Sequence, residues 1–163
     1  MRYICLLMLS FLFVGSALAS EDEVAMVGTK RLTLPTAIKI ARAAIAECTE
    51  RGIQIGVTVV DREGIVQVTL RDTIAAPITA PISERKAFTA ANFNAATSAL
   101  EDRANSAIGR ADGLLMAAGG LPIEVGGALV GAVGVSGAPS GITDEECAQA
   151  GVDAVLDDLE MAL

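Results

Sequence analysis

Apolar and polar residues alternate along this chain in two different periods, and the change from one to the other marks its elements. Leu34, Ile38, Ala41, Ile45 and Cys48 recur at steps of four, three, four and three, one face of a helix, while Lys39, Arg42 and Glu47 point away. Thr33 is placed to cap that helix, Pro35 suits its first turn and Gly52 its C-terminal end. From Ile55 the period becomes two. The runs Ile55 to Val60 and Ile65 to Arg71 flank the turn Asp61-Arg62-Glu63-Gly64, which predicts a hairpin whose second strand buries Val66, Val68 and Leu70 and wets Gln67, Thr69 and Arg71. A proline-bearing loop, Thr73 to Ile82, then leads to a helix capped by Ser83 and running through Phe93. The polar, alanine-rich stretch Ala95 to Ile108 predicts a further helix.

Gly126 and Gly127 separate the apolar runs Leu121 to Val125 and Ala128 to Val135, and paired glycines supply the positive φ angles of a two-residue hairpin. Thr143, with Glu146 three residues on, reads as a capping box for a last helix, Asp144 to Ala162. That helix carries Ala148, Val152, Val155 and Leu159 on one stripe and Asp153, Asp157, Asp158 and Glu160 in solvent. The predicted order α-β-β-α-α-β-β-α describes an α+β fold, a single mostly antiparallel sheet with helices packed on it.

Ahead of these elements stands a different pattern: Arg2, an apolar run from Ile4 to Val14, then Ala17-Leu18-Ala19 before acidic residues. This is the layout of a secretory signal peptide over residues 1–19, its apolar core shorter than the ~20 residues of a membrane span. Residues 20–30 read as a flexible leader and 31–163 as one domain, so the mature chain is expected in the periplasm or secreted, with no membrane span.

The net charge of −8 excludes nucleic acid as a natural partner. The chain has no His and no Trp, and its one Tyr, Tyr3, leaves with the signal. Ser-His-Asp and Cys-His catalysis and His-based zinc are therefore absent. Cys48 and Cys147 remain, either bridged or, the preferred reading, two buried thiols. The spacings Gly127 to Gly131 and Gly131 to Gly137 hint at a nucleotide loop, but these glycines fall in and after hairpin strands rather than between a strand and a helix. Close backbone approach is the simpler explanation.

Four blocks in order carry a family resemblance: Val59-Val60-Asp61 with Gly64, the helix segment Ser83-Glu84-Arg85-Lys86-Ala87-Phe88-Thr89-Ala90, Phe93 with Thr97-Ser98, and the glycine-rich hairpin ending Val135-Ser136-Gly137-Ala138-Pro139-Ser140-Gly141. Together they resemble the GlcG/HbpS family of haem-binding proteins. The resemblance implies a small α+β domain that forms homo-oligomers and binds haem, in some members beside a sensor or redox partner protein. This chain departs from the pattern at Ile65, where relatives commonly carry a histidine, and at Asp72, adjacent to Arg71 instead of two residues beyond it.

A haem site needs an apolar slot, cations for the propionates and a ligand for iron. Lys86 and Arg85 are the candidate cations, Lys86 first because it falls on the motif, and Arg71 is a third, with pairing to Asp72 as its other reading. Phe88 and Phe93 are candidate walls. The resemblance implies a hydroxyl iron ligand at Thr97, whose other reading is a helix cap or turn; Met116 reads as core filler and Asp61 as a turn former. The expected function is an exported haem binder for sequestration, delivery or sensing, with no chemistry of its own. The alternatives are a haem-degrading enzyme and a corrinoid-binding or structural accessory oligomer with a vestigial site.

Overall fold

A computed structural model describes residues 25–163. The signal peptide expected at 1–19 and the first residues of the leader lie outside the described residues. The elements are α1 (Leu34–Glu50), β1 (Gly56–Asp61), β2 (Val66–Arg71), α2 (Thr79–Phe93), β3 (Gly120–Val125), β4 (Ala128–Ser136) and α3 (Gly141–Glu160). The strands form one antiparallel sheet in the order β2-β1-β4-β3. The expected α+β architecture is therefore present, with one change. The stretch read as a helix from Ala95 to Ile108 forms two 3₁₀ segments, Thr97–Arg103 and Ile108–Arg110. Short polar and small residues there bury only Thr97 and Leu100, too little to hold a full α-helix on the sheet.

Strand alternation divides the core in two. Val57 and Val59 of β1 and Val133 and Val135 of β4 face α1 and α3 in the larger apolar cluster, with Ile40, Ala44, Ala148 and Val155. Val60 and Ala132 face the other way and meet Ala87, Ala90 and Ala91 of α2. Helices thus cover both faces, and β1 is buried along its whole length. The α2 layer sits close because the sheet beneath it is nearly bare: a side chain on Gly134 would collide with the Ser83 carbonyl, and one on Gly120 would lie 2.6 Å from the Lys86 carbonyl oxygen. Those hairpin glycines serve close approach, as the sequence implied.

On α1 the buried face is Ala37, Ile40, Ala41, Ala44 and Cys48, which rotates the expected stripe. Leu34 is exposed, and Ile38 and Ile45 are half-buried. The reason is α3: small residues on α1 let Gly151 approach so closely that its Cβ would stand 2.8 Å from the Ile40 carbonyl oxygen. At that contact Cys48 and Cys147 form a disulfide, so the reading of two free thiols is corrected. A proximity created by helix packing has no signature in sequence spacing.

The caps moved as well. Thr33 caps α1 as expected, its hydroxyl accepting from the Thr36 amide. Ser83 does not cap α2: the helix begins four residues earlier, with Pro81 in its first turn, where a missing amide proton costs nothing. Ser83 instead donates to the Ala80 carbonyl and shares a hydrogen bond with Thr58. Ser140, not Thr143, caps α3, accepting from the Thr143 amide. Gly126 (φ 56°) and Gly127 (φ 75°) turn the β3–β4 hairpin with both residues at positive φ. β2, an edge strand, has no fully buried residue; its Val68 and Leu70 pack against the larger core while Val66 is exposed.

Candidate functional site

Helix α2 carries four of the six expected site residues, and helical geometry sends them in different directions. Consecutive residues are rotated by about 100°, so Arg85 and Lys86 cannot face the same ligand, whereas Arg85 and Phe88, three apart, share a side. Arg85 and Phe88 look outward into a cleft of about 230 Å³ completed by Gly64, Glu84 and Gly113. Gly64 ends the β1–β2 turn, which Asp61 shapes by accepting from the Glu63 and Ile65 amides at 3.0 and 2.9 Å. Asp61 is thus the turn former the sequence suggested.

The absence of side chains on both glycines is what opens the ring of Phe88. A Cβ on Gly64 would stand 2.8 Å from Phe88 Cδ2, and one on Gly113 3.5 Å from Cε1. Gly113 is held in place by the loop that follows it. Arg85 donates to the Leu114 carbonyl at 2.6 Å, and the Leu115 amide donates to Thr89 Oγ1 at 2.8 Å. One guanidinium nitrogen of Arg85 is therefore engaged, and the residue is exposed and lines the cleft.

Lys86 points inward. Its ammonium, 4% exposed as a residue, donates to Asp144 Oδ2 at 2.8 Å and to the Val135 carbonyl at 2.9 Å. Asp144 also accepts from the Ala138 amide at 2.9 Å. The pair ties α2 to the first turn of α3 past the end of the sheet. Burial pushes the Asp144 carboxyl above its usual range, against the opposing pull of the Lys86 hydrogen bond and the Ala138 amide.

Thr97 is fully buried and also turned into the fold: its hydroxyl accepts from the Gly120 amide at 2.8 Å and lies 3.4 Å from the Gly120 carbonyl. It clips the first residue of the edge strand β3. Phe93 ends α2 under the Arg103 guanidinium, 5.1 Å from the ring centre, and joins Leu100, Leu114 and Met116 in a small cluster that also backs Phe88. Arg71 stands at the far end of the β1–β2 hairpin from Gly64 and donates to the Ala75 and Asp72 carbonyls, not to the Asp72 carboxylate.

The fold thus brings Arg85 and Phe88 together and leaves Lys86, Thr97, Phe93 and Arg71 outside the cleft. Glu84, Gly64 and Gly113 are its further members. Gly64 was visible in the sequence as the end of a turn, but nothing there linked it to Phe88. A groove of about 250 Å³, lined by Leu32, Val125, Val130 and Leu159, is larger. It lies between residues 30–32 and the C-terminal residues, where Lys30 donates to the Leu163 carbonyl, and it contains none of the candidate residues.

The cleft is small, and its lining is one aromatic ring, one guanidinium and one carboxylate between two glycines. Its volume lies under the ~300 Å³ at which small-molecule pockets usually begin, which leaves room for no more than one edge of a macrocycle. The half-buried Phe88 ring suits a flat π-system, and Arg85 suits a propionate carboxylate.

Comparison with known proteins follows the same direction. No curated protein matches the chain in sequence. Among solved structures, HbpS is 43% identical, with a TM-score of 0.77 over 80% of this chain and 94% of that one. A double mutant of Streptomyces reticuli HbpS is 42% identical, with a TM-score of 0.76 over 80% and 90%. A PduOC:heme complex is 25% identical, with a TM-score of 0.71 over 76% and 94%. The family model described as "Haem degrading protein HbpS-like" matches residues 32–153, from the strand of chain entering α1 to the middle of α3, and so takes in every wall of the cleft. By that match and by its likeness to HbpS, the chain belongs to the HbpS-like family.

Proposed function

We propose that the protein is an exported, homo-oligomeric haem-binding protein that sequesters, delivers or senses haem. The observation that carries this reading is the cleft on α2, where two glycines border the half-buried Phe88 ring beside Arg85. Phe88 would stack on the macrocycle edge and Arg85 would pair with a propionate; the haem itself would supply any redox chemistry. Kinship with HbpS and likeness to a haem complex of PduOC support the ligand class. The signal-like N-terminus supports export, and among the described residues no helix is long and apolar enough to cross a membrane. Exposed Ile65, Val66, Ile74 and Ile78 support assembly, in which a neighbouring copy would cover the part of the macrocycle that one cleft leaves bare.

Titration of the protein with haem, followed in the Soret band beside a corrinoid control, tests the proposal. Saturable haem binding that Arg85→Ala weakens more than Lys39→Ala is the expected result. Binding of neither ligand would leave the accessory-scaffold reading. Haem degradation is a second reading, favoured by the description of the family; loss of the Soret band with release of iron in the presence of both dioxygen and a reductant, and not with the reductant alone, would establish it.

A further inference from the structure

The cleft is unusual for a haem site in what its walls lack. Gly64, Glu84, Arg85, Phe88 and Gly113 include no imidazole, thiolate, thioether or phenolate, the groups that hold haem iron in most proteins. Among the described residues the thioethers outside the cleft lining are Met116 and the exposed Met26 and Met161, and none of the three lines the cleft. The sequence has no histidine. Both cysteines outside the N-terminal segment are joined in a buried disulfide on the α1–α3 side of the sheet. Met116 is 4% exposed, packed with Leu100 and Leu114, and the Thr97 hydroxyl is spent on Gly120. Beside the Glu84 carboxylate, the groups that line the cleft are an aromatic ring and a guanidinium, which contact the periphery of a macrocycle and are indifferent to its centre.

We infer that this cleft recognises a tetrapyrrole by its ring edge and carboxylates and not by its metal, so that it takes metal-free dicarboxylate porphyrin as readily as haem. The inference rests on the proposed haem-binding reading and narrows it to the chemical class of the ligand. It assigns Arg85 and Phe88 the part of the selectivity that this cleft exerts. A cobalt corrinoid, puckered and with its carboxylates amidated, presents neither the flat edge nor the anions and is excluded.

Free-base protoporphyrin IX fluoresces and haem quenches, so direct titration of the first and competition by the second measure both affinities on one sample. The expected dissociation constants agree to within about threefold, and Arg85→Ala raises both by about tenfold. Bound haem is expected to show a high-spin spectrum. Glu84 is the one carboxylate among the lining residues, and in Glu84→Gln the two affinities are expected to move together. A preference for haem of more than about tenfold, a low-spin spectrum, or a Glu84→Gln protein that loses haem but keeps porphyrin would each overturn the inference while leaving haem binding intact. Failure of both ligands to bind, or indifference of both to Arg85→Ala, would overturn it together with the cleft assignment.

Discussion

Lys86 shows how one turn of a helix separates residues that are adjacent in sequence. Its neighbour Arg85 reaches the cleft, whereas Lys86 enters the fold and meets Asp144 at 2.8 Å with both side chains 5% exposed. Removing one member of a buried pair leaves the other charged and without compensation, a loss of about 3–5 kcal/mol. Lys86→Met is expected to lose stability of that order at neutral pH. The loss should shrink in acid. A carboxyl whose folded pKa is raised binds its proton more readily folded than unfolded, so its contribution is greatest below about 3.9 and declines as pH rises past that value. Denaturant unfolding of Lys86→Met and the unaltered protein at pH 4 and pH 7 checks this; a gap that widens in acid would contradict it. Lys86→Ala should affect haem affinity only through stability, unlike Arg85→Ala.

At the scale of elements, the contact between α1 and α3 combines close packing with a covalent tie. Cys48 and Cys147 are 99 residues apart, so their bond restrains most of the domain when unfolded. Around it Arg51 pairs with both Glu47 of its own helix and Glu146 of α3. Because these ions are exposed, they add little beside the disulfide. The double variant Cys48→Ser, Cys147→Ser is expected to lose about 2–5 kcal/mol, read from its denaturant midpoint, with secondary structure kept in circular dichroism. The α2 layer depends on a different device. Gly134→Val would drive a side chain into the Ser83 backbone, and α2 cannot retreat without leaving Ala132 and Val60 uncovered. Gly134→Val should therefore disrupt the cleft while the analogous change at exposed Gly127 costs only turn strain.

For the molecule as a whole, one cleft is too small to enclose a tetrapyrrole, and several large apolar side chains lie on the surface. A multiple of the single-chain mass is the expected result of light scattering at micromolar concentration; a monomer would remove the assembly part of the proposal. N-terminal sequencing of protein recovered from the cell envelope is expected to begin at Ser20. That product would contain neither Trp nor Tyr, so its absorbance at 280 nm should be close to nil and bound tetrapyrrole should dominate the spectrum.

What the sequence determined by itself was local or periodic. The β1–β2 and β3–β4 hairpins, the Thr33 cap, the glycine turn at Gly126-Gly127 and the solvated face of α3 are each encoded within a few residues, and all are present. Four motif blocks were enough to indicate the family. Only the tertiary structure decided which cation faces outward, because the rotation of α2 about its axis depends on how Ala87 and Ala90 seat against Ala132 and Gly134. It also decided that Cys48 meets Cys147 and that the hydroxyl of Thr97 belongs to β3. Gly64 and Gly113 became walls of one cleft by the same route, since each is 24 or 25 residues from Phe88 and meets it only when the sheet, α2 and the loop after the 3₁₀ segments pack together. Long-range contacts of this kind follow from packing many side chains at once, and no short window of sequence records them.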